Sequence, residues 1–94
     1  MLTLQEINAE MSALNGWSLE ANSITKDFSF VDFKEALGFV NKVGETSEKL
    51  NHHPDIMMSY NKVRLALTTH SLSGLSKLDF QLAREIDKID VSLK

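Results

Sequence analysis

Apolar residues recur along this chain in two alternating periods. Leu4, Ile7, Met11 and Leu14 follow the three- and four-residue spacing of a helix. Thr3 with Glu6 forms a capping box, Leu2 and Ile7 stand at the staple positions, and Asn15-Gly16 supplies a stop. The period then shortens to two. Trp17 to Ala21 and Ile24 to Val31 read as a hairpin about Asn22-Ser23, with Trp17, Leu19, Ile24, Phe28 and Phe30 toward the core. Asp32 caps a second helix with Glu35 three residues on, and Phe33, Ala36, Leu37, Val40, Val43, Gly44, Ser47 and Leu50 trace its apolar face. That helix must end near Asn51 to His53, because the residue before Pro54 is driven out of the helical region. Ile56, Met58 and Tyr60, a turn at Asn61-Lys62, then Val63, Leu65 and Leu67 predict a second hairpin running to His70. Ser76 with Asp79 is another capping box, flanked by Leu75 and Phe80, and Leu82, Ala83, Ile86 and Ile89 give a third helical stripe.

The order helix, hairpin, helix, hairpin, helix predicts an α+β fold: a four-stranded antiparallel sheet with three helices packed on one face. At 94 residues, with 43% hydrophobic and 24% charged residues, four Gly and one Pro, the chain is expected to form a single domain over residues 1–94. It has no Cys, which excludes disulfides, thiolate metal sites and a thiol nucleophile. A formal charge of -3 without a Lys/Arg cluster argues against direct nucleic-acid binding. With no apolar run long enough to span a membrane and no signal-like start, the expectation is a cytoplasmic protein.

Candidate chemistry gathers in the three histidines, which fall between positions 52 and 70. His52 and His53 lie at a helix-to-strand junction, and His70 closes the next hairpin. By strand alternation with Arg64, Ala66 and Thr68, His70 should face away from the side on which Val63, Leu65 and Leu67 pack. Imidazole can give and take protons near neutral pH, which suits a reaction with one protonation and one deprotonation. Glu48 stands four residues before His52 and would share its face if the helix persisted, orienting that ring. Three readings stay open on spacing alone: an acid-base site, exposed polar histidines, or a zinc site with Glu48 or Asp55, although the chain has no HExxH pattern. Thr68, Thr69 and Ser71 flank His70 without a glycine-flanked nucleophile turn. Met57 and Met58 would divide between sheet packing and a pocket or subunit contact, and Asp79 is accounted for by its capping box.

The run Glu48-Lys49-Leu50-Asn51-His52-His53-Pro54, followed by Tyr60-Asn61-Lys62-Val63, Thr68-Thr69-His70 and Asp79, resembles the signature of the pterin-4a-carbinolamine dehydratases. Gly16-Trp17, Phe28-Ser29-Phe30, Asp32-Phe33, Ala36-Leu37-Gly38-Phe39, Gly74-Leu75-Ser76 and Leu82-Ala83 extend the likeness over nearly the whole chain. The resemblance implies a lyase that dehydrates 4a-hydroxytetrahydropterin to quinonoid dihydropterin in tetrahydrobiopterin recycling, with no metal or organic cofactor. It implies His52 and His70 as the acid-base pair, His53 as a residue that binds and positions substrate, and Glu48 as support from its helix end. Asn51, Thr68, Thr69 and Ser71 join the histidines as candidates for holding the pterin ring. Asn51 stands where the animal enzymes carry Asp, and Ile56 where they carry Trp, so a retained reaction with altered affinity or pH profile is expected. The resemblance also implies a homodimer or homotetramer. The alternatives are a non-catalytic module, such as the dimerisation cofactor of a transcription factor, or a pterin-binding protein on the same scaffold.

Overall fold

Thr3 begins the first helix where its capping chemistry places it. The Thr3 hydroxyl accepts from the Glu6 N–H at 3.2 Å and the Glu6 carboxylate accepts from the Thr3 N–H at 2.9 Å. The computed structural model describes residues 1–90, so the last part of the domain expected over 1–94 lies outside the described residues. The elements are α1 (Leu4–Ser12), β1 (Ser18–Glu20), β2 (Ser23–Ser29), α2 (Phe33–Leu50), β3 (Asp55–Ser59), β4 (Lys62–Leu67), a 3₁₀ turn (His70–Leu72) and α3 (Lys77–Asp87). The four strands form one antiparallel sheet in the order β1-β2-β4-β3. The α+β architecture read from the sequence is the observed one.

Strand alternation decides what is covered. Ile24, Val63, Leu65 and Leu67 are buried, while Asp27, Arg64 and Ala66, on the other face, keep access to solvent. Ala36, Phe39 and Val43 of α2 and Phe80, Leu82, Ala83 and Ile86 of α3 close the core over the buried face. The inward stripe of α2 is rotated from the predicted one: Phe39 is buried, whereas Phe33 and Leu37 are 49% and 41% exposed. The apolar arc of α2 is wider than the surface the sheet offers it. Leu19 is exposed although it pairs with Ile24, because β1 is an edge strand and its side of the sheet is incompletely covered.

Both hairpin turns sit one residue earlier than the sequence suggests. Glu20 pairs with Ser23 and Ser59 with Lys62, leaving Ala21-Asn22 and Tyr60-Asn61 as the turns, with Ala21 and Tyr60 in the left-handed region. Asn61 thereby ties the turn to the end of β2. Its Nδ2 donates to the Phe30 carbonyl at 2.8 Å, and its own carbonyl accepts from the Phe30 N–H at 2.9 Å. In the middle of β2, Lys26 projects to the covered side. Its Nζ donates to Asp87 and to the Asn15 carbonyl, both at 2.9 Å, and lies over the Trp17 and Phe28 rings. The Trp17 indole N–H donates to the same Asp87 carboxylate.

On the open sheet face Arg64 donates to Glu20 at 2.9 Å and to Asp27 at 3.0 Å. The Arg64 guanidinium, followed by the Thr25 hydroxyl, holds the Glu20 carboxyl below its ordinary 4.5. A group whose pKa is lowered by folding stabilises the fold above its unfolded value, and that contribution vanishes as pH falls through the folded value. The urea midpoint should therefore fall as the pH drops below about 4.5, and Arg64→Met should lessen that fall. An unchanged acid slope in the variant would show that the cluster does not couple to folding.

No helix among the described residues is long and apolar enough to cross a membrane.

Candidate active site

Asn51 determines where His52 and His53 point. It takes φ 49° and ψ 43°, the left-handed conformation that Asn tolerates better than most residues. Its N–H returns to the Glu48 carbonyl at 3.2 Å and the His52 N–H to the Ser47 carbonyl at 3.1 Å, a Schellman ending to α2. Pro54 follows, where no helix can resume. The helical register is lost before His52, so the expected sharing of a face by Glu48 and His52 does not occur. Glu48 Oε2 meets His53 Nε2 at 2.5 Å instead, in an exposed pair.

His52 turns inward. Its Nε2 lies 2.6 Å from Asp79 Oδ1, and its side chain is 11% exposed against 0% for Asp79. The carboxylate is reached from three elements. The Ser76 N–H donates to Oδ2 at 2.9 Å from the start of α3, Thr69 Oγ1 donates to Oδ2 at 2.8 Å from the exit of β4, and His52 meets Oδ1 from the end of α2. Burying a carboxylate is tolerable only with this many donors.

Asp79 is the site residue that capping logic passes over. Its capping box is real, but one oxygen of the box also belongs to the Thr69 contact and the other to His52. The signal that could single it out is its place at the end of the histidine motif.

Beyond Leu67 the strand pairing stops, so the alternation argument does not extend to His70. Thr69 forms an isolated bridge with Gly74, its N–H donating to the Gly74 carbonyl at 2.9 Å. His70 opens the 3₁₀ turn clasped by that bridge, and Ser73 closes it in the left-handed region. His70 and Ser71 are exposed, one and two residues beyond the Thr69 that holds Asp79. The hydroxyls of Thr68 and Thr69 are already engaged, Thr68 with the Asn22 carbonyl at 2.6 Å and Thr69 with Asp79. His52, Asp79 and Thr69 are thus joined directly, with His70 at the next position, while His53 and Glu48 form a separate pair at the α2 end. Among the described residues no three His, Asp or Glu side chains gather as a metal ion requires, and no enclosed cavity forms. An imidazole held by a buried carboxylate, with a second, exposed imidazole one residue beyond the Thr69 that binds the same carboxylate, can give and take protons near neutral pH.

Residues 1–89 match the family model described as pterin 4 alpha carbinolamine dehydratase. A relative from Sulfurisphaera tokodaii, provisionally named a pterin-4-alpha-carbinolamine dehydratase, is 49% identical over 88 residues, covering 94% of this chain and 95% of its own. One from Nostoc sp. with the same provisional name is 46% identical over 90 residues, covering 96% and 97%. The crystal structure of a transcriptional coactivator/pterin dehydratase from Brucella melitensis matches with TM-score 0.88 and 40% identity, over 92% of this chain and 94% of that one. A pterin dehydratase-like protein identified as a RuBisCO assembly factor in the alpha-carboxysome shares the fold, with TM-score 0.62 and 19% identity over 76% and 82% of the two chains. With a family model matched over residues 1–89, a relative 49% identical over 94% of this chain and a solved structure at TM-score 0.88 and 40% identity, the chain belongs to the pterin 4 alpha carbinolamine dehydratase family.

Proposed function

We propose that this protein dehydrates 4a-hydroxytetrahydropterin to quinonoid dihydropterin. The observation that carries the reading is the His52–Asp79 contact of 2.6 Å beside the His70 turn. The bond between the ring carbon and its hydroxyl breaks, the leaving oxygen takes a proton to become water, and a ring nitrogen gives up a proton as its electrons form the new carbon–nitrogen double bond. Two groups with opposite proton roles are needed. His52 suits the acceptor role, because the Asp79 carboxylate stabilises the imidazolium that forms when the ring takes a proton. His70, exposed and free to exchange with solvent, supplies the proton to the leaving oxygen. His53, held by Glu48, is placed to position the pterin. General acid-base groups of this kind contribute roughly 10²–10⁴-fold each.

The test is the decay of enzymatically generated 4a-hydroxytetrahydropterin, followed by absorbance with and without the purified protein. Saturable acceleration supports the dehydratase; decay at the spontaneous rate at every pH tried overturns it. A protein-binding role is the second reading, favoured by the exposed Phe33 and Leu37 on α2. It predicts association with a partner that Leu37→Glu abolishes and that does not depend on His52.

A further inference from the structure

We infer that Thr69 is a positioning residue for His52: its hydroxyl, acting through Asp79, holds the imidazole with its proton on Nε2 and leaves Nδ1 as the basic nitrogen. The kinetic consequence rests on the dehydratase reading; the proton placement does not.

Each hydroxyl in the cluster has a single proton to give. A carboxylate only accepts, so the contact of 2.8 Å between Thr69 Oγ1 and Asp79 Oδ2 uses the one proton Thr69 has. Ser76 Oγ lies 2.7 Å from Thr69 Oγ1 and must therefore be the donor of that pair. Ser76 Oγ in turn accepts from the Leu78 N–H at 3.3 Å. The hydroxyls run in one direction, Ser76 to Thr69 to Asp79. Such chains polarise in sequence and strengthen their members.

Two donors now sit on Oδ2, the Thr69 hydroxyl and the Ser76 N–H at 2.9 Å, and they come from different elements. That fixes the plane of the carboxylate and aims Oδ1 at His52, whose Nε2 at 2.6 Å must carry the proton it donates. A neutral imidazole has one N–H, so Nδ1 is left to accept. Among the described residues nothing in the protein hydrogen-bonds to Nδ1. Thr69 can do this because its backbone is pinned by the Gly74 bridge. The same residue carries His70 on its carbonyl side, so one position sets the carboxylate of the first candidate histidine and anchors the turn of the second.

The experiment is nitrogen NMR of the full chain labelled in histidine, read beside steady-state dehydration kinetics. In the wild-type protein His52 should show a single neutral form protonated at Nε2. Thr69→Val, which keeps the shape and removes the donor, should give a mixture of both neutral forms. It should also lower kcat by about tenfold, the rate equivalent of one net hydrogen bond, with KM changed by less than about twofold. Thr69→Ser, which restores a hydroxyl, should recover both readouts. A wild-type His52 protonated at Nδ1 overturns the inference without any variant, so it stays open to refutation even if Thr69→Val fails to fold. A folded Thr69→Val protein with an unmixed Nε2 form also overturns it, as does a rate loss that Thr69→Ser does not repair. If the wild-type protein accelerates no dehydration, the dehydratase reading fails, while the NMR result still decides the proton placement.

Discussion

Removing the His52 ring, as His52→Ala, is expected to lower kcat for pterin dehydration by about 10²–10⁴-fold, the range of a positioned acid-base group. Asp79→Asn should come close to the same loss, for a reason specific to its contacts. Asn keeps the shape of Asp but replaces one acceptor oxygen by a donor NH₂. If that NH₂ faces His52, the ring must accept on Nε2 and carry its proton on Nδ1, the reverse of the arrangement the carboxylate imposes. If it faces Thr69 and the Ser76 N–H, donors meet donors in a site with no exposure. The double variant should be little worse than the poorer single one, because groups that act as a unit do not multiply their losses. Rate losses that multiply across the two positions would mean that Asp79 serves the fold and His52 works without it.

That pairing explains what can and cannot be read along the chain. Capping is local, so Thr3 with Glu6, Asp32 with Glu35, and Ser76 with Asp79 are legible, and all three begin helices. Period-two alternation is equally legible and places all four strands. The turns slip by one residue because the ordinary turn preference of Asn puts it first in each bend. The chain instead sets Ala21 and Tyr60 there, in the left-handed region, and uses the Asn61 side chain to hold Phe30. Glu48 and His52 fail as a helical pair because one residue, Asn51, reverses the backbone between them. His52 and Asp79 are 27 positions apart, and their contact depends on how α2 and α3 lie together, which no periodicity encodes. The family motif gathers those residues without indicating which of them touch. Geometry separates the joined set of His52, Asp79 and Thr69 from the exposed pair of His53 and Glu48.

Phe80 ties that site to the stability of the fold. It is fully buried, stands next to Asp79 on α3, and is the largest of the fully buried side chains. Phe80→Ala should cost about 3–5 kcal/mol, the transfer energy of the ring plus the cavity it leaves. Domains of this size lose about 4–8 °C of Tm per kcal/mol, so the midpoint should fall by more than about 12 °C. Phe80→Leu fills most of the space and should lose about 1.5 kcal/mol or less. The pair separates two effects of the ring. If it acts only by filling the core, dehydration per folded molecule is unchanged in Phe80→Leu and the loss in Phe80→Ala follows the unfolded fraction in urea. If it also fixes the register of α3 against α2, folded Phe80→Leu loses rate beyond what its small loss of stability accounts for, because a small shift of the helix start moves Asp79 away from His52. A shift at the start of α3 acts directly on the 2.6 Å contact of a fully buried carboxylate, so the second outcome is expected. A Phe80→Ala protein that unfolds within about 1 kcal/mol of the wild type would refute the premise that this ring anchors α3 at all.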